Sequence, residues 1–343
     1  MAAHRDTDRI KHADHGLDLS RRRLITAMAG LAALPGGVWA QQPGPRYRLC
    51  WLSPALTRSE PYHVAFMQRL GELGFVEGRN LTVDYRVAGG TDAQLLEVAA
   101  DLVKQRCNII LAPGTERVLI AAKQVSKDTP IVIFAADYDP VATGHAASLA
   151  RPGGRITGVS LLQAELPAKR LELLKEVLPK AKKIAVLTDS SGGSQLKFVR
   201  DAARHFGLEL FIMEFKQTPY VYERAFADAV RAKSDALLAL NSSLFVPARE
   251  KIPALALKHR LPSMHGNALW ADAGGLMSYA PNFSTAYRRV AEQVGKILKG
   301  AHPADLPIEQ PGEIELVVNL KTAKALGIYI PPAIRVRASR VIE

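Results

Sequence analysis

The residues of this chain best suited to chemistry are small and polar, and they follow the strands that the sequence predicts. Hydroxyl, amide and carboxylate groups can donate or accept hydrogen bonds, which suits the binding of a compact ligand. The candidate binding residues are Ser53, Gly114, Thr115, Asp137, Tyr138, Ser160, Asp189, Ser190, Asn241, Ser242, His265 and Asn267. Ser, Thr, Asp and Asn at the start of a helix also cap its free N–H groups, so capping is an alternative explanation for many of them.

These residues form no recognisable catalytic set. Asp137 and Asp189 could form a carboxylate pair, but their spacing alone does not bring them together. The sequence lacks a G-x-G-x-x-G after its first strand, a Walker loop and a G-x-S-x-G elbow. No metal-ligand spacing relates the histidines His63, His145, His205, His259 and His265. We therefore predict no catalytic residue, no cofactor and no metal site.

The elements that must position the candidates are strands alternating with amphipathic helices. "YRLCWLS", "NLTVDYR", "NIILA" and "PIVIFAA" have the composition of strands, and the segments between them have helical periodicity. This alternation predicts an α/β fold with parallel sheets covered on both faces. In such sheets ligands bind outside the carboxyl ends of the strands, where the candidate residues lie.

The chain then repeats this pattern. "DLVKQRCNIILA" matches "DAVRAKSDALLA" at an offset of 127, Gly74 and Gly207 are 133 apart, and Pro130 and Pro262 are 132 apart. Three matches at nearly one offset predict two similar doubly wound lobes. We expect the first lobe to comprise 46–157 and 282–306 and the second 158–281 and 307–343, joined by a hinge that closes a cleft.

The first 40 residues have the layout of an export signal. "SRRRLITAMAGLAALPGGVWAQQ" has a basic start, a short apolar core, a helix-breaking Pro-Gly-Gly and a small residue at Ala40. Arg21-Arg22 resembles a twin-arginine signal. The apolar run is too short and interrupted for a permanent anchor. We expect cleavage near Ala40, a periplasmic location and no stable membrane insertion afterwards, with Sec export left open.

Charge and cysteine content narrow the function classes. The net charge is +12, but Lys and Arg are dispersed and not interleaved with aromatic residues, so no nucleic-acid partner is predicted. Cys50 and Cys107 each open an apolar, strand-like run. We expect two buried thiols in preference to a disulfide, although an oxidising compartment would permit one.

Several longer motifs resemble those of a known family. They are "ELGFVEGRNLTVDYR", "LARPGGRITGVS", "AKRLELLKEVLPKAKKIAVL", "AGGLMSYAPN", "ILKGAHPADLPIEQP" and "ELVVNLKTAKALGIYIPP". Together they cover nearly the whole mature chain, which resembles the extracytoplasmic solute-binding proteins of ABC transporters related to tryptophan-binding TrpX. The resemblance implies a periplasmic-binding-protein type I fold and a permease and an ATPase as partners. We expect a small-molecule ligand and a monomer.

The loops expected to face the ligand depart from that family. Glu116 and Arg117 follow "APGT", and "TDSSGG" and "NSSLFVP" replace the loops expected after two strands of the second lobe. The ligand is therefore not carried over with the fold. We expect a small organic ligand, such as an amino acid or an aromatic carboxylate. Arg117 is a candidate counter-charge, and Tyr138, Phe245 and Trp270 are candidate contacts for an apolar part.

The sequence is compatible with three functions. Solute binding for import is the prediction that we favour. A sensory protein that presents its ligand to a membrane receptor would use the same cleft. An exported α/β enzyme would need a catalytic set that the sequence does not contain. A repressor with the same core would carry a DNA-binding helix-turn-helix where this chain has its export signal.

Overall fold

The computed structural model describes residues 46–53, 58–87, 91–136, 138–161, 166–189, 192–216 and 219–343. The predicted export signal and two candidate residues, Asp137 and Ser190, lie outside the described residues. Within that described part, no helix is both long and apolar enough to cross a membrane.

The first lobe is built on a parallel sheet of six strands. Apolar runs rich in Ile and Val form its central strands, which are buried on both faces, as a sheet covered by helices requires. Its elements in chain order are β1 (Tyr47–Ser53), α1 (Pro61–Glu72), β2 (Leu81–Val87), α2 (Asp92–Val103), β3 (Ile109–Gly114), α3 (Glu116–Val125), β4 (Ile131–Ala135) and β5 (Ile156–Ser160).

The second lobe is built on a sheet of seven strands. Its elements are α4 (Leu166–Val177), β6 (Lys183–Asp189), α5 (Gly193–His205), β7 (Glu209–Phe215), α6 (Tyr222–Arg231), β8 (Ala236–Ala239), a 3₁₀ helix (Ser243–Ala248), α7 (Lys251–Lys258), β9 (Ser263–His265), α8 (Ala268–Asp272) and β10 (Met277–Pro281).

The C-terminal part adds elements to both lobes. These are α9 (Phe283–Leu298), a 3₁₀ turn (Pro303–Asp305), β11 (Ile308–Glu309), β12 (Ile314–Asn319), α10 (Leu320–Leu326), α11 (Pro332–Arg337) and β13 (Arg340–Ile342). α9 buries Tyr287 and Val290 in the core of the first lobe, and β11 pairs with β5. β12 pairs with β10 in the second sheet. The chain thus crosses between the lobes after β5, β10 and β11.

The predicted duplication is visible in the strand order. The first sheet runs β11-β5-β4-β3-β1-β2 and the second β13-β12-β10-β9-β8-β6-β7, so β2-β1-β3-β4-β5 corresponds to β7-β6-β8-β9-β10. β3 begins at Ile109 and β8 at Ala236, an offset of 127. The prediction of two similar lobes with parallel sheets is confirmed; the antiparallel pairing of β10 with β12 is an addition that the sequence pattern did not indicate.

The strand pairing bears on the expected lobe boundaries. All of β5, through Ser160, pairs with β4 in the first sheet. Ile308 and Glu309 pair with Gly158 and Val159 of the same sheet. Both segments therefore lie a few residues beyond the boundaries expected at 157 and 306, because a strand remains in its sheet to its carboxyl end before the chain crosses the hinge.

The prediction for the cysteines is wrong. Cys50 and Cys107 form a disulfide, with their Cα atoms 5.7 Å apart. Cys50 lies on β1, and Cys107 lies two residues before β3, which pairs with β1. The apolar runs around each cysteine indicated burial, but only the pairing of two strands 57 residues apart in sequence brings the sulfur atoms together.

Candidate functional site

A cavity lies between the lobes at the carboxyl ends of both sheets. Its empty space is about 690 Å³, including its opening to solvent. Its lining residues are Tyr62, Gly114, Thr115, Phe134, Ala136, Ala239, Leu240, Asn241, Ser242, Ser243, Phe245, Val246, His265, Gly266, Asn267, Trp270, Phe283 and Tyr287. The lobes touch around it, since Val246 and Leu269 of the second lobe pack against the core of the first.

The first lobe contributes a tight turn and a hydroxyl group. Gly114 ends β3 with φ +99, a conformation in which a side chain would be strained, and Thr115 directly precedes α3. Thr115 occupies the N-cap position, but its side chain makes no capping hydrogen bond to the helix. Capping therefore does not account for this hydroxyl, which lines the cavity.

The second lobe holds Asn241 and Ser242 in place through buried neighbours. Gln195 on α5 is fully buried; its amide donates to the Asn241 carbonyl (2.9 Å) and accepts from the Asn241 N–H (3.0 Å). The Ser242 hydroxyl donates to the buried carboxylate of Asp189 and accepts from the Leu244 N–H at 3.1 Å. Asp189 thus stands behind the lining and orients Ser242.

Asn267 and Gly266 complete this polar wall. The Asn267 side chain accepts from the Leu269 N–H at 2.9 Å, which caps α8. A Cβ atom at Gly266 would come within 2.0–2.6 Å of the Asn241 side-chain amide. Only glycine therefore lets the β9 loop approach Asn241 so closely.

His265 is a deeply buried titratable group of the lining. Its ring is 1% exposed and stacks on Trp270, with centroids 5.4 Å apart and an interplanar angle of 5°. Nε2 lies 2.9 Å from the Ser263 hydroxyl. Burial, with the nearby positive charge of Arg170, lowers the pKa of His265 to about 3, so the imidazole is neutral at physiological pH.

Aromatic rings form the apolar part of the cavity. Tyr62 on α1 stacks on Tyr287 of α9 at 5.0 Å, and Phe134 at the end of β4 contacts Tyr287 at 4.4 Å and Phe283 at 5.4 Å. Burial raises the pKa of Tyr62 and of Tyr287 well above its ordinary value, so both phenols are neutral. Phe245 and Trp270 face the same space from the second lobe.

Charged side chains are absent from the lining, as far as the described residues show: no Asp, Glu, Lys or Arg is among them. Arg117, the candidate counter-charge, forms an ion pair with Asp92 on α2. No group of three or more His, Cys, Asp or Glu side chains suited to a metal ion occurs within the described ranges. The arrangement offers neutral hydrogen-bonding groups and aromatic faces.

The structure brings six of the twelve candidates to the cavity: Gly114, Thr115, Asn241, Ser242, His265 and Asn267. Four lie elsewhere. Asp189 is behind Ser242, and Tyr138 packs into the core of the first lobe beside His145. Ser53 and Ser160 are fully buried strand ends. Asp137 and Ser190 fall outside the described residues, so the structure does not place them.

Phe245 and Trp270, expected near an apolar part of the ligand, do line the cavity. Sequence reasoning missed four other rings, Tyr62, Phe134, Phe283 and Tyr287. These four rings belong to helices and a strand whose apolar faces pack in the core of the first lobe, so core packing alone explains their presence in the sequence. Their position in the sequence could have indicated two of them as lining residues. Tyr62 and Phe283 are the second and first residues of helices that follow a predicted strand or hinge crossing.

Comparison with known proteins gives consistent matches. The family described as ABC transporter substrate binding protein matches residues 63–342. The chain is 27% identical over 267 residues to a tyrosine-binding protein of Clostridioides difficile (strain R20291), covering 77% of this chain and 75% of that protein.

Two solved structures share the fold. A conserved domain protein of Vibrio cholerae has a TM-score of 0.77 and 25% identity, over 86% of this chain and 99% of that one. An ABC domain of Streptococcus pneumoniae in complex with L-Trp has a TM-score of 0.77 and 22% identity, over 87% of this chain and 100% of that one.

Proposed function

The chain belongs to the ABC transporter substrate-binding protein family, and from that membership we propose that it captures an aromatic amino acid, or a related aromatic carboxylate, between its lobes for uptake. The observation that carries this proposal is the combination of aromatic rings and neutral hydrogen-bonding groups around one interlobe cavity. Pockets for small molecules characteristically have this mixture, with apolar walls for binding energy and a few polar groups for orientation.

The aromatic walls suit a flat side chain. Trp270 and Phe245 face the cavity from the second lobe and Tyr62, Phe134 and Phe283 from the first, so a ring held between them would contact both lobes. Offset or edge-to-face contacts between aromatic rings contribute about 0.5–1.5 kcal/mol beyond the burial of their area. The name of the relative that binds tyrosine and the L-Trp complex of the structural neighbour support the same ligand class.

The polar wall suits the backbone groups of an amino acid. The hydroxyls of Thr115 and Ser243 are donors for a carboxylate, and the amide oxygens of Asn241 and Asn267 are acceptors for an ammonium group. Asp189, whose carboxylate accepts from Ser242, adds negative charge behind that side of the cavity. Hydrogen bonds would therefore orient the ligand, since the described lining offers no charged side chain for a direct ion pair.

The same proposal covers delivery and location. A protein of this family would hand its ligand to a membrane permease driven by an ATPase, without converting it, and would act as a monomer in the periplasm after cleavage of 1–40. The disulfide between Cys50 and Cys107 supports an oxidising compartment.

Calorimetry on the mature protein tests the ligand class. L-tryptophan, L-tyrosine, L-phenylalanine and aromatic carboxylates should bind at one site, while aspartate, lysine and glucose serve as controls. In a thermal unfolding assay, a true ligand at 100 times its Kd should add about 2.7 kcal/mol of stability. Absence of binding by every aromatic compound would refute the ligand class.

Mass spectrometry of the bound compound separates binding from catalysis. Ligand recovered unchanged after prolonged incubation supports a binding protein. Conversion to a product would refute the non-enzymatic function and favour the exported enzyme.

A further inference from the structure

His265 has a buried ring nitrogen whose hydrogen-bonding capacity no described residue uses. The ring is 1% exposed and lines the cavity, and Nδ1 is buried with no hydrogen-bond partner among the described residues. A buried polar atom without a partner destabilises the folded protein, so its presence in a residue that lines a cavity points to a partner that arrives with the ligand.

The other edge of the ring is fixed against protein. A Cβ atom at Gly275 would lie 2.6 Å from Cδ2 and 2.7 Å from Nε2 of His265, so glycine is needed for this edge to pack against the backbone. Nε2 lies 2.9 Å from the Ser263 hydroxyl, and one face of the ring lies against Trp270. These contacts occupy the Cδ2–Nε2 edge and one face of the ring, and they leave the opposite edge, which carries Nδ1, without a hydrogen-bond partner among the described residues.

The hydrogen bonds of Ser263 decide which nitrogen carries the proton. Its Oγ accepts from the Leu276 N–H at 3.3 Å, and His265 Nε2 is the only acceptor within reach of its O–H in the described part of the chain. If Ser263 donates to Nε2, one buried group, Nδ1–H, remains unsatisfied. If Nε2–H donates to Ser263, both the serine O–H and the Nδ1 lone pair remain unsatisfied. The first arrangement therefore costs less.

We propose that neutral His265 presents Nδ1–H to the cavity and donates it to a carboxylate oxygen of the ligand. Arg170 supports an anionic acceptor at this place, because it is fully buried on α4 and its positive charge acts on the His265 ring. His265 thus favours ligands that carry a carboxylate, whether or not they also carry an amino group. This inference deepens the proposed function and rests on it for the choice of ligand.

The tautomer can be measured directly on the unaltered protein. Long-range ¹H–¹⁵N correlation spectra distinguish an imidazole protonated at Nδ1 from one protonated at Nε2. The expected spectrum shows Nδ1–H without ligand, and a downfield shift of that proton when L-tryptophan saturates the site. A ring protonated at Nε2, or an Nδ1–H signal unmoved at saturation, would overturn the inference.

Three probes then test the acceptor: L-tryptophan, indole-3-propionate, which lacks the amino group, and tryptamine, which lacks the carboxylate. His265→Ala should weaken the first two by about 10- to 100-fold, the range for a hydrogen bond to a charged group. His265→Asn, whose amide can place a donor near the position of Nδ1, should recover most of that loss. Tryptamine should lose less than about threefold in either variant, since it offers no carboxylate to this donor.

Equal losses for all three probes would overturn the inference, because they would show that the ring acts only in packing. If His265→Ala fails to fold, the asparagine variant and the spectra on the unaltered protein still decide the question. If the unaltered protein binds none of the three probes, the proposed ligand class fails, and the tautomer spectrum alone then confirms or refutes the donor at Nδ1.

Discussion

Two buried histidines show how burial sets the charge of individual side chains in this protein. His265 has its pKa lowered to about 3 by burial and by Arg170. Burial, with the charge of Arg58, lowers the pKa of His63 to about 4, and this ring stacks on Trp51 at 4.4 Å and lies edge-on to Tyr85 at 5.5 Å. The carboxylate of Glu77, which is paired with Arg58, raises the pKa of His63, but its effect is smaller than the two that lower it.

These lowered pKa values make stability depend on pH. Below about pH 6.5 the unfolded chain binds protons at both histidines, and the folded protein does not. The contribution of the two neutral rings to the free energy of unfolding is therefore fully present above about pH 6.5 and decreases toward pH 4. Each histidine contributes a slope of about 1.4 kcal/mol per pH unit. His63→Phe, which keeps a ring against Trp51, should reduce the slope of unfolding free energy between pH 6 and 4.5 by about that amount in urea titrations.

Val64, the exposed neighbour of His63 on α1, carries no titratable group and provides the matched control. Val64→Ala should leave the slope as it is. A slope that is the same in His63→Phe and in the unaltered protein would contradict the assignment of a depressed pKa to this ring.

Two threonines at helix starts separate ligand contact from capping. Thr115 lines the cavity without capping α3, whereas Thr91 caps α2 through a capping box with Gln94. Thr115→Val should weaken L-tryptophan binding by about 3- to 10-fold with little change in stability. Thr91→Val should lower the unfolding free energy by about 1 kcal/mol and leave the Kd unchanged.

Calorimetry and chemical denaturation on both variants test this pair of expectations. The reverse pattern, with Thr115→Val destabilising the fold and the ligand bound as before, would show that Thr115 is structural and that the hydroxyl wall of the cavity lies elsewhere.

At the scale of elements, the disulfide ties β1 to the segment before β3 and closes a loop of 57 residues. Crosslinks of this span stabilise mainly by restricting the unfolded chain, by about 2–4 kcal/mol. The double substitution Cys50→Ala with Cys107→Ala should lower the unfolding free energy by that amount. Reducing agent should lower the stability of the unaltered protein similarly and leave the double variant unaffected. Two reactive thiols in protein purified without reducing agent would contradict the crosslink.

Sequence pattern predicted most of the elements because their physics is local. Alternation of apolar strands with amphipathic helices indicated the α/β class, and the offset of 127 between β3 and β8 indicated the duplication. The sequence also indicates the loops that follow strands, and it predicts Thr115, Asn241 and His265 as binding residues, all three of which line the cavity.

What the sequence could not supply depends on distant pairing. The disulfide requires the register of β1 with β3, and the cavity rings Tyr62 and Tyr287 come from helices 225 residues apart. An aromatic residue on the apolar face of a helix fits core packing equally well, so nothing local marked Tyr287 as part of a binding site. The sequence predicts Asp189 as a ligand contact, but its carboxylate accepts a hydrogen bond from Ser242, and only the three-dimensional structure shows this role.

For the whole molecule, an ion pair across the cleft links the two lobes. Glu60, just before α1 in the first lobe, accepts from Arg249, just after the 3₁₀ helix of the second. The Glu60 side chain is 6% exposed and that of Arg249 33%. Because the partners belong to different lobes, the pair exists only when the lobes are together, and it stabilises that arrangement relative to an open one.

Breaking this pair should weaken ligand binding without altering the cavity. Neither residue lines the cavity, so the effect would come from a less favourable closed state. Arg249→Gln should raise the Kd for L-tryptophan by about tenfold, a moderate value for a pair with one partly exposed member. Glu60→Gln should have a similar effect, and the double variant should lose no more than either single one, since the partners act together.

Arg58 and Glu77 form the matched control, because that ion pair lies within the first lobe and is present whether the lobes are open or closed. Arg58→Gln should leave the Kd unchanged. Small-angle scattering adds a direct readout: with ligand below saturation, Arg249→Gln should keep a larger radius of gyration than the unaltered protein at the same concentration. An unchanged Kd in Arg249→Gln, with scattering that matches the unaltered protein, would show that closure depends on the ligand contacts alone.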